Sequence, residues 1–266
     1  MKIPHAVHTL ACHRCGKIRN IAFLLLVAAA QALQAQSSFI DYQKTFSRVS
    51  DAFKRKEDTL CRQFEARRLA WPVSDIYIRS FKYDSELEVW VRSSDTAAYR
   101  LFKTYRVCAL AGTLGPKRME GDYQVPEGFY YINEFKHNSA FHLSLGLNYP
   151  NLSDIKLADS TDPGGDIYIH GSCVTTGCIP ILNPQIEELY IIASHAFNAG
   201  QEYIPVHIYP VRFDVPGSME YLEKLMKDDA DLRNFEMRMK SAYDHFEKHR
   251  KLPMIATNPK GEYVVL

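Results

Sequence analysis

Asp166-Ile167-Tyr168-Ile169-His170-Gly171-Ser172-Cys173-Val174-Thr175-Thr176-Gly177-Cys178-Ile179-Pro180 is the stretch on which the reading of this chain turns. An apolar strand ends on a histidine, and a cysteine follows eight residues later, directly after a glycine. A cysteine nucleophile acts as its thiolate, and a nearby imidazole is the usual means of generating one near neutral pH. Gly177 permits the tight turn that aims amide N–H groups at a developing oxyanion. Base (His170), nucleophile (Cys178) and oxyanion donors (Gly177 and Cys178) would then come from one short loop, the layout of a cysteine acyltransferase or hydrolase. Cys173 is the rival nucleophile, but it lies close to His170 in sequence between Ser172 and Val174, and Cys178 is preferred.

On either side of this stretch the pattern is that of strands with helices at the flanks. Residues 39–70 carry apolar side chains at Ile40, Phe46, Val49, Phe53, Leu60 and Phe64, a helical spacing that predicts one amphipathic helix ended by Pro72. Ile76-Tyr77-Ile78 and the alternating Leu87-Glu88-Val89-Trp90-Val91 predict a hairpin with a half-buried second strand. Further strands are expected at Tyr99 to Leu110, Phe129 to Ile132, Phe141 to Leu147 and Ile204 to Tyr209. Pro184 opens a helix that Gly200 closes. Residues 217–250 read as a helical extension broken near Asp228–Asp231, with Asp231 as the cap of its second piece. Tyr263-Val264-Val265-Leu266 is expected at a sheet edge. Strands grouped together with helices outside them make the fold class α+β, and no Pro-, Gly- or Ser-rich linker divides residues 36–266, so one domain is expected.

Residues 1–35 are set apart as a secretory signal peptide. Lys2, Arg14, Lys17 and Arg19 precede an apolar run, Ile21 to Ala30, that falls short of the ~20 residues a membrane span needs. An uncleaved anchor is the alternative. Removing those four basic residues takes the formal net charge from +1 to −3. Without a basic stripe, a nucleic-acid partner is not expected. Cys12 and Cys15 fall in the leader, leaving Cys61, Cys108, Cys173 and Cys178; Cys61–Cys108 and Cys173–Cys178 are both possible pairings in an oxidising compartment. No metal or nucleotide motif appears, and no cofactor is expected.

Long loops with many turns tend to carry function. Gly115 to Tyr130 is one: its adjacent Lys117 and Arg118 are candidates to hold a ligand carboxylate, beside Glu120 and Asp122. His142 is a candidate to line the same cleft as His170, or else a satisfied sheet histidine. His170 needs an acceptor for its other nitrogen, and the Gly171 carbonyl is the nearest in sequence.

His170-Gly171 followed by Thr175-Thr176-Gly177-Cys178 resembles the His-Gly…[Ser/Thr]-x-Gly-Cys signature of the L,D-transpeptidases, the YkuD-type catalytic domain. The Gly115-Pro116-Lys117-Arg118…Gly121-Asp122…Pro126-Glu127-Gly128-Phe129-Tyr130 loop is similar to the YafK-like branch, and Phe141 to Leu145, Tyr149-Pro150-Asn151, Pro205 to Pro210 and Tyr243 to Glu247 extend the resemblance from about Asp75 to the C-terminus. The resemblance implies a β-rich domain outside the cytoplasm, in the periplasm or cell envelope, acting on diaminopimelate-containing peptidoglycan stem peptides. It implies Cys178 as the thioester-forming nucleophile, His170 as the base, Gly171 as the carbonyl orienting it, and Lys117, Arg118, Tyr130, His142, Ser172 and Thr176 around the substrate. After export no stable membrane insertion is expected. Two departures bear on the acceptor: many members carry His before the Gly-Cys pair and Arg or Asn shortly after, where this chain has Thr176 and Pro180. Hydrolysis, including release of a wall-linked protein, therefore stands beside amine transfer. A catalytically silent wall-binding module is the reading from another class.

Overall fold

The computed structural model describes residues 38–159 and 162–266; the leader lies outside them. Phe39–Leu266 forms one unit of the chain. The N-terminal amphipathic segment forms two helices, α1 (Phe39–Lys44) and α2 (Ser47–Ala66), rather than one. Phe46 between them is extended, and α2 ends well before Pro72, with Arg68 in the left-handed region. The buried face of α2 is Val49, Ala52, Phe53, Leu60 and Phe64, the set the helical period singles out.

Eight strands form one sheet: β1 (Asp75–Phe81), β2 (Glu86–Arg92), β3 (Arg100–Arg106), β4 (Gly128–Lys136), β5 (Ser144–Leu147), β6 (Tyr168–His170), β7 (Ile179–Pro180) and β8 (Ile204–Tyr209). Their order is β3-β2-β1-β8-β4-β5-β6-β7. Most neighbours are antiparallel, but β1 pairs parallel with β8 and β6 parallel with β7. The hairpin β1–β2 turns at Ser85, which takes a positive φ of 54°. The α+β class is realised by α2 and α4 (Asn183–Asn198), packed together on one face of the sheet over the main apolar core.

The alternation of β2 misleads on one point: its run from Leu87 to Val91 is buried on both faces. The C-terminal extension explains this. It comprises α5 (Pro216–Leu225) and α6 (Ala230–His249), and α6 lays Phe246 against Tyr77, Trp90 and Tyr99 on the outward face of the hairpin. The charged members of that face are paired internally: Arg79 pairs with Glu88 and, at 2.6 Å, with Glu247, while its guanidinium lies over Trp90 and Phe246. The cap of α6 is Asp229, whose side chain accepts from Leu232 N at 2.8 Å; Asp231 sits within the first turn instead. The C-terminal residues do not join the main sheet edge: β10 (Tyr263–Val265) pairs with β9 (Ile255–Thr257) as a separate two-stranded sheet. A short helix, α3 (Leu152–Lys156), interrupts the second long loop, capped reciprocally by Asn151 and Asp154. Among the described residues no helix is long and apolar enough to cross a membrane.

Candidate active site

The site is built at the sheet edge where β6 and β7 run parallel. Ile169 faces Ile179 and His170 faces Pro180. Cys178 directly precedes β7, two positions before the partner of His170. In the resting arrangement the two are not hydrogen-bonded. The Cys178 thiol instead donates to the Asp166 carbonyl at 3.5 Å.

His170 is buried, with Phe141 stacked over its ring at 4.6 Å between centroids. Its Nδ1 lies 2.5 Å from the Gly171 carbonyl oxygen. A carbonyl can only accept, so Nδ1 carries the hydrogen and Nε2 is left as the proton acceptor. Burial pushes the His170 pKa down, against the Gly171 hydrogen bond, which raises it. Burial pushes the Cys178 thiol up, opposed by a backbone hydrogen bond from Tyr168 and reinforced by Asp166. Both shifts favour the neutral pair, so the resting site is thiol and imidazole rather than thiolate and imidazolium.

The loop between them is held by contacts the sequence pattern does not reveal. Asn183, at the start of α4, accepts from Ser172 N at 2.8 Å. A Cβ at Gly171 would come within 2.5 Å of that same Asn183 oxygen and 2.8 Å of Phe141 O, so only glycine fits. Thr175 Oγ1 donates to Cys178 O at 2.7 Å and accepts from Gly177 N at 3.0 Å. Gly177 has φ 145°, a backbone conformation that side chains rarely adopt. Its amide is committed to Thr175, so of the two candidate oxyanion amides it is that of Cys178 which has no acceptor in the described residues. Non-glycine residues with positive φ gather nearby: Asp166 (56°), Ser172 (71°) and His142 (75°). Strain of this sort persists only where the surroundings impose it, and it concentrates at functional sites.

A disulfide joins Cys108 to Cys173 and leaves Cys61 and Cys178 free. Neither pairing weighed from the sequence is formed. Cys173, the alternative nucleophile, is thereby spent on tying the loop to the chain beyond β3.

Cys178 opens into a cleft of about 320 Å³ lined by Lys117, Glu120, Tyr123, Asp166, Thr176 and Gly177, among others. Of the residues singled out around the substrate, Lys117 and the exposed Thr176 reach this cleft, and the half-buried Ser172 lies in the loop leading to it. Lys117 is not a free cation there. Its ammonium is bound by Asp122 and by Met119 O at 2.7 Å. Asp122 also accepts from the Arg118, Met119 and Gln124 amides; burial would raise its pKa, but these donors hold it low. The charged loop is thus a shape organised around Asp122.

Arg118 faces away, its guanidinium 3.9 Å from Asp154 and over the ring of Phe235. Tyr130 is a core residue, its hydroxyl donating to Asp154 at 3.1 Å. His142 borders Gly171 only with its Cβ, while its Nε2 is held 2.8 Å from Glu187 Oε1. Burial would raise the Glu187 pKa, but Arg55 and His142 hold it below the usual range. The loop carrying Phe141 and His142 is anchored from α2, where Arg48 donates to Ser139 O at 2.7 Å and to His142 O. Asn183, Thr175, Tyr123 and Arg48 are site-building residues that sequence reasoning passed over. Asn183 and Arg48 belong to no motif and only the fold brings them to the loop, whereas Thr175 opens the Thr175-Thr176-Gly177-Cys178 signature and Tyr123 lies in the charged loop, each without its own role being marked there.

The sequence profile of the YkuD L,D-transpeptidase catalytic domain matches residues 87–208, which span β2 to β8 and hold both His170 and Cys178. YafK of Escherichia coli K12, to which an L,D-transpeptidase activity is provisionally assigned, is 33% identical over 194 residues, covering 72% of this chain and 74% of its own. The chain belongs to the L,D-transpeptidase family. Among solved structures, the helical cell shape determining protein Pgp2 of Campylobacter jejuni is similar with a TM-score of 0.42 and 18% identity, over 71% of this chain and 74% of that one. Bd1075 of Bdellovibrio bacteriovorus gives a TM-score of 0.36 and 17% identity, over 71% and 79% of the two chains. As an L,D-transpeptidase-type protein the chain has a peptidoglycan-related function.

Proposed function

We propose that this chain is an exported cysteine acyltransferase acting on peptidoglycan stem peptides in the cell envelope. The observation that carries the proposal is the free Cys178 thiol opening into a cleft beside a buried His170 whose Nδ1 is fixed by Gly171 O. His170 Nε2 removes the thiol proton as Sγ leaves the Asp166 carbonyl and attacks the carbonyl of a diaminopimelate residue. A rotation about χ1, between staggered wells, brings the thiol across. The tetrahedral oxyanion is met by the Cys178 amide, with Gly177 supplying the turn. As the intermediate collapses, the imidazolium gives its proton to the departing amine and a thioester remains on Cys178. In the second half His170 takes a proton from the incoming amine as that amine attacks the thioester, and the thiol is regenerated.

Water as acceptor is the second reading, and Thr176 and Pro180 favour it. Pro180 is buried in β7 with no hydrogen-bonding side chain, and Thr176 brings only a hydroxyl to the cleft. Neither supplies the cationic or amide group that other members carry there. Mass spectrometry of muropeptides incubated with the mature protein and with Cys178→Ala decides between the two. New cross-linked or exchanged stems, absent with the variant, establish the transferase. Shortened stems or a released wall-linked peptide establish the hydrolase. Unchanged muropeptides with both proteins would refute the enzyme and favour a silent wall-binding module.

A further inference from the structure

A cavity of about 530 Å³ lies apart from the cleft that holds Cys178. It lies between the Pro116–Arg118 end of the charged loop, the first turns of α6 and the strand β10. Its more buried wall carries Arg118 and Arg238, with Phe235 and Tyr263 between. Its exposed rim carries Asp159, Asp229 and Asp231. Basic groups inside and acidic groups outside are a polarity that a plain anion or a plain cation would match only in part.

Arg118 is the decisive member. Its Nη1 is buried and has no hydrogen-bond acceptor. The nearest carboxylate oxygen, Asp154 Oδ1, stands 3.9 Å away, beyond hydrogen-bond range. Asp154 is moreover engaged elsewhere, accepting from Tyr130 OH and Asn151 N. Burial pushes its carboxyl up to about 6, which weakens it further as a counter-charge. A buried guanidinium nitrogen left in this way is costly unless an anionic group reaches it. Arg238, by contrast, already pairs with Glu262 at 3.1 Å and with Tyr263 O at 3.0 Å.

We infer that this cavity is a second ligand site, binding a short zwitterionic peptide with its carboxylate on Arg118 and its ammonium at the Asp159–Asp229–Asp231 rim. Leu232 and Phe235 offer the apolar surface for the carbon skeleton between the two charges. The site adjoins the Cys178 cleft through one shared loop: Pro116 and Arg118 face the cavity, while Lys117, Glu120 and Gly121 face the cleft. A peptide held on Arg118 therefore touches the segment that forms the cleft wall, though its binding is independent of turnover at Cys178.

The test is calorimetric titration of the mature protein with alanyl-alanine, its C-terminal amide and its N-acetyl derivative. The free dipeptide is expected to bind about tenfold or more tightly than either blocked form, since each blocked form loses a charge-assisted contact. In Arg118→Gln the dipeptide and its amide should bind equally. In Asp231→Asn the advantage over the N-acetyl form should shrink; Asp231 is exposed, so this variant remains informative even if the first loses stability. Cys178→Ala should bind as the wild type does. Equal binding of all three probes, no binding at millimolar concentration, a carboxylate preference that survives Arg118→Gln, or loss of binding in Cys178→Ala would each overturn the assignment.

Discussion

Glu236 of α6 is fully buried, and neither of its carboxyl oxygens has a donor. Its neighbour is Glu127, itself fully buried and paired with Lys82 at 2.9 Å. Burial, and then the proximity of Glu127, push the Glu236 pKa well above the usual carboxyl value, with Lys82 opposing. The physical resolution is that Glu236 keeps its proton and donates it to Glu127, whose Oε2 otherwise has no partner. Linkage fixes the sign. The unfolded chain releases this proton above about pH 4.3 while the native state retains it, so the unfolded state gains as pH rises. Stability is full below that pH and falls by about 1.4 kcal/mol per pH unit until the native carboxyl itself ionises. Glu236→Gln keeps a neutral donor toward Glu127 and removes the titration. Its urea-unfolding free energy, compared with wild type at pH 5, 6 and 7, should gain on the wild type by about that slope. Glu236→Ala, which strands Glu127 Oε2, should instead lose about 1–3 kcal/mol. Parallel stability curves for wild type and Glu236→Gln from pH 5 to 7 would refute the reasoning, because they would mean Glu236 is already ionised in the fold.

Other perturbations act on the catalytic loop. The kcat/KM on a stem peptide should fall on the acid side with an apparent pKa below about 6.5, since the base must be neutral and burial lowers His170; a limb set in the thiol range instead would mean that a preformed thiolate is required. Gly177→Ala places a side chain at φ 145° with its Cβ 3.2 Å from Gln124 O. It should cost about 1–3 kcal/mol of stability by thermal melting and most of the turnover. Asn183→Ala removes the acceptor for Ser172 N and should cost about 1 kcal/mol, with a fall in kcat larger than any change in KM. Replacing Cys108 and Cys173 together by serine should leave thiol labelling at Cys178 intact while lowering kcat, because the link ties down the loop without offering a nucleophile.

What the sequence made legible was what short-range chemistry dictates. The buried face of α2, the turn chemistry of the β1–β2 hairpin and Pro184 at the start of α4 each follow from local preference; the hairpin and α4 form where they are expected, while the first helix is split at Phe46 and stops at Ala66. The readings that failed depend on what arrives from far along the chain. Alternation in β2 implies a wet face unless something covers it, and Phe246, more than 150 residues later, does so. Arg118 stands next to Lys117 in sequence, but Asp122 draws the lysine ammonium and three backbone amides to itself. The arginine is thereby turned to the other wall of the loop, toward Asp154 and Phe235.

Long-range placement also lets His170 and Cys178 rest neutral. The spacing of eight residues suggests a contact, yet the parallel pairing of β6 with β7 sets the two segments side by side while the Cys178 thiol bonds to Asp166 O instead. A thiol parked on the Asp166 carbonyl beside a neutral imidazole resists oxidation, since the thiolate is the reactive form. If the chain is the exported enzyme proposed above, that protection has value, and it would be removed when a substrate carbonyl gives the thiol something to attack. Apo geometry that is long or misaligned commonly tightens in the substrate complex. The proposed cysteine chemistry therefore needs an activation step, and its burden falls on the loop that Asn183, Thr175 and the Cys108–Cys173 link hold in shape.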